Sequence, residues 1–172
     1  LKNQPLPPVD AGDKDKHGTI LIIAGSRDVP GAALLCAHAA MRAGAGKLQL
    51  AVPDAIAVPL GIAMPEAMVV GVPMARDGGF SRKAIRQLLD LGGDADAIVA
   101  GPGACPNKAT ATLAGELCKL GKPLALDAAL LHALPSRRAT AKGAPLPPIL
   151  LPHAGEMASW LGCTAEAGEA EP

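Results

Sequence analysis

The chain has 172 residues, 49% of them apolar, with 16 basic and 16 acidic side chains. This length suits one domain with a sizeable core, and the balanced charge provides no basic field to attract nucleic acid or an acidic membrane surface. With one Phe, one Trp and no Tyr, the chain has no aromatic platforms for stacking bases, and no apolar run approaches the roughly 20 residues of a membrane span.

The four cysteines, Cys36, Cys105, Cys118 and Cys163, stand far apart in the sequence. No two have the C-x-x-C spacing of zinc sites and redox motifs, so neither kind of site is expected. Cys36 and Cys118 fall within helical patterns, where a thiol packs as a small apolar side chain. Unpaired cysteines fit a reducing compartment, which predicts a cytoplasmic protein.

Short apolar runs alternate with helical patterns along most of the chain. Residues 1–15 are rich in Pro, Asp and Lys and predict an extended arm, which leaves residues 16–172 as one domain. The predicted strands are 19–24, 47–52, 67–72, 96–100, 123–126 and 149–151. The predicted helices are 32–43, 54–63 (weakened by Pro59 and Gly61), 81–91, 108–120, 128–134 and 156–161, with a loop at 139–148. This alternation predicts an α/β fold with a mainly parallel sheet and helices on both faces.

Four of the apolar runs end in a polar or glycine-rich turn, and these turns hold most of the residues that could do chemistry. They are residues 25–32, 101–103, 127 and 152–156. In an open parallel sheet, ligands bind outside the carboxyl ends of the strands. The four turns are therefore expected to converge on one crevice.

The first turn, residues 25–32, joins a strand to a helix whose N-terminal amides suit a phosphate or carboxylate. Gly31 and Ala32 would let a ligand approach the backbone closely, but an ordinary strand-to-helix loop explains these residues equally well. The G-x-G-x-x-G dinucleotide fingerprint is absent. Gly101 and Gly103 could also border a ligand, although a tight turn explains them better when they are considered alone.

Two further residues follow strands and carry polar side chains. Asp127 could orient a hydroxyl, a metal or a water, or it could cap the short helix that follows. His153 is interpreted as facing a ligand, to which it could donate a hydrogen bond or pass a proton. Glu156 lies in the first turn of a helix, where the dipole favours a carboxylate, and is interpreted as structural.

Several short motifs occur in a fixed order from about residue 16 to residue 162. They are Lys16-His17-Gly18, Ile23-Ala24-Gly25-Ser26, Pro30-Gly31-Ala32, Ala39-Ala40-Met41-Arg42-Ala43-Gly44-Ala45-Gly46, Pro65-Glu66-Ala67-Met68, Gly101-Pro102-Gly103, Leu126-Asp127-Ala128 and Pro152-His153-Ala154-Gly155-Glu156. As a set they resemble the NAD(P)H-hydrate dehydratase family, a branch of the ribokinase-like superfamily of small-molecule kinases. The resemblance implies a ribokinase-like three-layer sandwich.

The chain departs from the family pattern at three places. Ala104 and Cys105 stand where Leu-Gly usually follows the Gly-Pro-Gly turn, and Leu151 and Ala154 replace a Thr and a Pro beside His153. The family's later Lys-Gly loop and its Gly-Thr-Gly-Asp turn do not occur in this sequence. We therefore expect the C-terminal part of the fold to be missing and the natural product to extend past Pro172, with a glycine-rich loop that ends in Asp.

The resemblance also implies a chemistry. The substrate is a hydrated NADH or NADPH, and ADP or ATP with Mg²⁺ drives removal of the added water. Ala32, Gly103 and His153 match family positions that contact the hydrated nicotinamide nucleotide, and Asp127 matches a family aspartate whose role is left open. The catalytic base is expected beyond Pro172, no protein metal ligands are assigned, and the implied assembly is a cytoplasmic homo-oligomer without nucleic-acid or membrane partners.

Two alternative functions are compatible with the same residues. One is a ribokinase-like kinase of a sugar or vitamin precursor, which would phosphorylate its substrate and keep the product. The other is a non-catalytic nucleotide-binding fragment, since the catalytic turn is absent from the 172 residues. An assay of hydrated NADH beside a panel of small alcohols distinguishes the dehydratase from the kinase.

Overall fold

The computed structural model of the chain describes residues 17–132, 134 and 145–161. The predicted arm at 1–15 and most of the predicted loop at 139–148 lie outside the described residues. The strands are β1 (Thr19–Ile23), β2 (Lys47–Pro53), β3 (Met68–Val72), β4 (Ala97–Ala100), β5 (Leu124–Leu126) and β6 (Ile149–Leu150). The α-helices are α1 (Pro30–Arg42), α2 (Asp54–Ala63), α3 (Ile85–Asp94), α4 (Lys108–Leu117) and α5 (Ala154–Leu161), and 3₁₀ turns span Arg82–Ala84, Cys118–Leu120 and Ala128–Leu130.

The six strands form one sheet in the order β3-β2-β1-β4-β5-β6, and every pairing is parallel. The expected α/β fold with a parallel sheet is therefore confirmed. The strands are short and almost wholly apolar because a parallel sheet is covered by helices on both faces.

Two apolar cores flank the sheet, and successive residues of β1 face opposite cores. Leu21 and Ile23 pack in the core beneath α3 and α4, whereas Ile22 packs in the core beneath α1 and α2. Aliphatic side chains fill both cores, and Phe80 is the exception in the first. This arrangement of helices, sheet and helices is the expected three-layer sandwich.

Helix ends follow the capping residues that the sequence indicates. After α1, Gly44 adopts a φ of +95° and donates its N–H to the Met41 carbonyl oxygen at 3.1 Å. Ser81 Oγ accepts a hydrogen bond from Lys83 N, as its predicted capping role requires, although the first turn is 3₁₀. Asn107 caps α4 by accepting hydrogen bonds from the amides of Ala109 and Thr110.

The second helix is continuous, although Pro59 lies inside it. Proline has no N–H to donate to the carbonyl four residues earlier, which here belongs to Ala55. Both Ala55 and Pro59 are exposed, so water can replace the missing bond. Ile56 and Leu60 are buried on the opposite side, and this packing keeps the helix in place. Within the described residues, no helix has the length and hydropathy to cross a bilayer.

Candidate active site at the carboxyl ends of the strands

The sheet order reverses between β1 and β4, which are neighbours in the sheet but far apart in the chain. The helices that follow these two strands, α1 and α4, pack on opposite faces of the sheet. Such a switch point opens a crevice outside the carboxyl ends of the two strands. Two hydrogen bonds join the turns at this point, from Gly25 N to Pro102 O (2.7 Å) and from Gly101 N to Ile23 O (2.9 Å).

Two of the predicted site residues, Ala32 and Gly103, lie against each other at this crevice. Gly103 has a φ of +67°, and a Cβ built on it would lie 2.6 Å from the Cβ of Ala32 and 3.0 Å from the carbonyl oxygen of Val29. Gly103 therefore lets the β4–α4 turn approach the start of α1 more closely than a side chain would allow.

The N-terminus of α1 has a free first turn. Val29 is its N-cap but makes no side-chain capping hydrogen bond, and the first turn contains no acidic residue. A Cβ built on Gly31 would meet no described heavy atom within 4 Å. Pro30, the first residue of the helix, has no N–H, so the amides of Gly31 and Ala32 and the positive dipole end are what an anionic group could meet, as the phosphate interpretation of this turn requires.

Asp127 begins the turn after β5, beside the Gly-Pro-Gly turn. Its Oδ1 accepts a hydrogen bond from Ala128 N at 2.9 Å, so the capping role is present, and contact with a ligand stays a prediction. A Cβ on Gly101 would overlap the carbonyl oxygen of Asp127, which shows how tightly the two turns pack. Ala128 adopts a φ of +48°, and a non-glycine residue in this region marks strain of the kind that gathers at functional sites.

The Asp127 carboxylate also lies near the first helix. Burial raises the pKa of the Cys36 thiol in α1, and the negative charge of Asp127 raises it further. The half-buried positions of Cys36 and Cys118 agree with their predicted packing roles.

His153 and Glu156 form a reciprocal cap at the start of α5. His153 Nδ1 accepts hydrogen bonds from Gly155 N (3.1 Å) and Glu156 N (3.4 Å), and Glu156 Oε2 accepts one from His153 N (3.0 Å). Because Nδ1 is an acceptor, the neutral ring carries its proton on Nε2, which lies 3.4 Å from Glu156 Oε1. Glu156 has the structural role that the sequence indicates, and His153 shares it.

The imidazole of His153 remains accessible despite its capping role. The side chain is 72% exposed. β6 pairs with β5 at Leu150 and Leu126, and Leu151 N donates to Leu126 O at 3.0 Å. This pairing places His153 at the same end of the sheet as Asp127, and contact of His153 with a ligand stays a prediction.

Ser26 lies at the switch point and was not singled out in the sequence. It follows β1 at the switch point, its side chain is 1% exposed, and its Oγ has no hydrogen-bond partner among the described residues. A buried hydroxyl without a partner is costly to the fold. The signal available in the sequence was a small polar residue directly after a buried apolar run.

We expect Ser26→Ala to stabilise the protein. The substitution removes the unpartnered hydroxyl and should raise the free energy of unfolding by about 1 kcal/mol, measured by urea denaturation. Ser81→Ala is the matched control, since it removes a hydroxyl that caps a 3₁₀ turn and should lower stability by about 0.5–1 kcal/mol. Equal losses in both variants would show that Ser26 has a partner in the folded protein.

The sequence analysis did not predict the hairpin formed by residues 73–81, the β3–α3 loop. Its Asp77 carboxylate accepts hydrogen bonds from Gly79 N (2.9 Å) and from Asn107 Nδ2 (3.0 Å). These bonds, the Gly79 amide first, hold the pKa of the Asp77 carboxyl below its usual range. The Asp-Gly pair at 77–78 is a recognised hairpin signal that could have predicted this loop.

A cavity of about 270 Å³ lies at the opposite end of the strands, near the amino ends of β1 and β4. Its lining includes His17, Ala40 and Asp96, and contains none of the predicted site residues. The Asp96 carboxylate there already accepts a hydrogen bond from Thr19 N at 2.7 Å. We therefore place the candidate site at the carboxyl ends of the strands and not in this cavity.

The described residues contain no group of three or more His, Cys, Asp or Glu side chains that could hold a metal ion. Asp127 is a single carboxylate, and one of its oxygens is occupied by the cap. The described residues therefore offer no cage of protein ligands alone for Mg²⁺.

Comparisons with known proteins match nearly the whole chain. A family model described as NAD(P)H-hydrate dehydratase matches residues 20–171. An ADP-dependent (S)-NAD(P)H-hydrate dehydratase from Xanthomonas campestris pv. campestris is 42% identical over 174 residues, which cover 100% of this chain and 57% of that protein. The chain therefore spans a little over half the length of this relative.

Solved structures agree with the fold. The ADP/ATP-dependent NAD(P)H-hydrate dehydratase from Bacillus subtilis, co-crystallized with ATP/Mg²⁺, matches with a TM-score of 0.73 at 26% identity, over 99% of this chain and 56% of that chain. A ribokinase-like superfamily protein from Enterococcus faecalis matches with a TM-score of 0.71 at 21% identity, over 96% of this chain and 56% of that chain, and supports the fold alone. The family model matches most of the chain, and the alignment with the Xanthomonas relative covers all of it. The chain therefore belongs to the NAD(P)H-hydrate dehydratase family.

Proposed function

We propose that the protein containing this chain removes water from hydrated NADH or NADPH and uses ADP or ATP to drive the reaction. The observation that carries the proposal is the contact of Ala32 with Gly103 at the switch point, beside the open N-terminus of α1. These two positions match the family positions expected to contact the hydrated nucleotide. The names of the relatives, which specify ADP- or ATP-dependent dehydration, support the same substrate.

The chemistry assigned to these residues is binding and charge stabilisation. The amides of Gly31 and Ala32 in α1 and the amide of Gly103 would hold the negative groups of the substrate, since Gly101 N is already bonded to Ile23 O and Pro102 has no N–H. When the nucleotide activates the hydroxyl of the hydrated ring as a leaving group, the same amides would stabilise the charge that develops. Asp127 and His153 would orient polar groups of the substrate, and the catalytic base is expected outside these residues.

Mg²⁺ would accompany the nucleotide. The described residues offer no cluster of ligands for it, so none of the roles given to Ala32, Gly103, Asp127 or His153 involves the ion. Bound nucleotide phosphates commonly complete the coordination of Mg²⁺, which keeps several waters.

We also infer that the protein is a cytoplasmic homo-oligomer. The outer face of α2 exposes Val58 (73%) and Ile62 (78%), and β3 forms one edge of the sheet without a charged residue. Exposed apolar patches beside a free strand edge are typical of surfaces that pair with another protein. The three cysteines in the described part of the chain form no disulfide with one another, which supports a reducing compartment.

We expect the complete natural protein to restore NADH from hydrated NADH when ADP or ATP and Mg²⁺ are present. The recovery is measured as absorbance at about 340 nm, where reduced nicotinamide absorbs. Residues 1–172 alone should show no turnover, because they supply a pocket and one helix N-terminus but no glycine-rich turn followed by a base. Recovery by residues 1–172 alone would move the base to Asp127 or His153. Phosphorylation of a small alcohol, without any recovery of NADH, would favour the kinase alternative.

We expect His153→Asn to weaken binding of hydrated NADH by about 1–3 kcal/mol, measured by titration calorimetry, because a polar group of the ligand loses its partner. Asparagine is a good N-cap, so this variant keeps the start of α5 and separates the loss of binding from a loss of stability. His38→Ala, on the exposed side of α1, is the control and should bind normally. Unchanged affinity in His153→Asn would remove His153 from the site.

A further inference from the structure

The β3–α3 loop, residues 73–81, folds back on itself. Met74 and Phe80 form an antiparallel bridge, and Ser81 N donates to Pro73 O at 3.0 Å. Phe80 is 1% exposed and packs in the core beneath α3 and α4. The loop is therefore anchored at its base and has a fixed tip at residues 77–79.

The tip touches both turns that form the crevice. On one side, Arg27 N, in the β1–α1 turn, donates to Gly78 O at 2.9 Å. On the other side, the Cys105 thiol, in the β4–α4 turn, donates to Asp77 O at 3.6 Å, and a Cβ on Gly79 would lie 2.8 Å from the Cβ of Cys105. One loop thus contacts the turn that leads to Ala32 and the turn that contains Gly103.

The Asp77 carboxylate joins these contacts into one network. Its Oδ1 accepts from Gly79 N and closes the tip of the loop, while its Oδ2 accepts from Asn107 Nδ2. The same Asn107 Nδ2 donates to Phe80 O at 3.2 Å, and its Oδ1 caps α4. A single side chain therefore ties the loop to the start of α4, four residues after Gly103.

The distance between Ala32 and Gly103 depends on how the β1–α1 and β4–α4 turns sit relative to each other. The bond from Gly25 N to Pro102 O joins the two turns at the strand ends. The 73–81 loop joins them a second time, farther from the strand ends. We propose that Asp77 is a positioning residue for nicotinamide-nucleotide binding, which fixes the separation of Ala32 and Gly103 through Gly79 and Asn107 without touching the ligand. This inference rests on the proposed function.

The test compares Asp77→Asn with the wild type in the complete protein. The oxygen of the new side-chain amide can still accept a hydrogen bond from Gly79 N. Its nitrogen is a donor that faces another donor, Asn107 Nδ2, so one hydrogen bond of the network is lost. We expect the Kd and KM for hydrated NADH to rise about fivefold, as the loss of one hydrogen bond implies, while kcat stays unchanged. An unchanged Kd and KM in Asp77→Asn would overturn the proposal.

Two further variants separate positioning from stability. Ser81→Ala lies in the same loop and loses a local cap, so it should lower the melting temperature without raising the Kd. The exchanged pair Asp77→Asn with Asn107→Asp again places a donor opposite an acceptor and keeps a capping oxygen for α4, but it loses the bond to Phe80 O, so it should recover part of the affinity. If Ser81→Ala raises the Kd as much as Asp77→Asn, the effect is one of stability and the proposal is wrong.

Amide hydrogen exchange keeps the inference testable if the wild type fails to bind hydrated NADH, a result that would refute the proposed function itself. The amides of Arg27 and Ala104, in the two turns, are bonded to Gly78 O and Gly101 O. Asp77→Asn should accelerate exchange at both amides, and Ser81→Ala should not. Equal exchange in Asp77→Asn and the wild type would show that Asp77 does not couple the turns.

Discussion

Gly101→Ala is expected to lower the free energy of unfolding by about 4 kcal/mol, enough to unfold many domains of ordinary stability. Gly101 has a φ of +121°, which a residue with a side chain rarely adopts, and this alone costs about 1–3 kcal/mol. An added Cβ would also overlap the carbonyl oxygen of Asp127.

The clash cannot relax cheaply because it lies between backbones that belong to the sheet. Gly101 N is bonded to Ile23 O, and Asp127 N is bonded to Ala100 O at 3.0 Å. Moving either segment breaks the pairing of β4 with its neighbours.

Urea denaturation followed by circular dichroism measures the loss. Gly115→Ala is the matched control: Gly115 lies inside α4, an added Cβ meets nothing within 4 Å, and the change should raise stability by about 0.5–1 kcal/mol. A Gly101→Ala protein as stable as the wild type would mean that the turns after β4 and β5 are farther apart than described here.

Gly103→Ala is expected to lower kcat/KM for hydrated NADH on the order of a hundredfold in the complete protein. The added Cβ would lie 2.6 Å from the Cβ of Ala32, so the start of α1 or the 101–103 turn must move. A displacement of about 1 Å at a substrate-positioning group can cost this much. The φ of +67° lies in the left-handed region and adds about 1–2 kcal/mol of strain to the cost of the contact with Ala32.

A second substitution tests whether the contact with Ala32 is the cause. Ala32→Gly removes the atom that the new methyl group meets, so the double variant should regain part of the lost activity. Val29 O, at 3.0 Å from the added Cβ, limits the recovery. If Ala32→Gly gives no recovery, then the left-handed conformation or the contact with Val29 O, rather than the contact with Ala32, accounts for the loss.

The sequence by itself determined the class of fold and the places where chemistry can occur. Alternating apolar runs and helical patterns are local features, so the strands and most helices were predicted to within a few residues, and the motif order identified the family. The predicted helix 128–134 is the exception, since the structure has only a 3₁₀ turn at Ala128–Leu130. The Gly44 cap and the Ser81 cap were also predictable, because a cap depends on residues within one turn of the helix end.

Only the tertiary structure decided which of these places meet. The sheet order, with β1 between β2 and β4, follows from pairings between residues separated by tens of positions, and no local pattern encodes it. The continuous α2 depended on its packing through Ile56 and Leu60, which outweighed the local effect of Pro59.

Contacts between distant residues also form the candidate site. The close approach of Gly103 to Ala32, the burial of Ser26 and the bond between Asp77 and Asn107 all join segments that are distant in the chain. His153 was predicted as a ligand-facing residue, but its capping bonds depend on a backbone conformation that histidine does not specify on its own. Sequence patterns report propensities along the chain, whereas contacts across the sheet arise when the two apolar cores close around it.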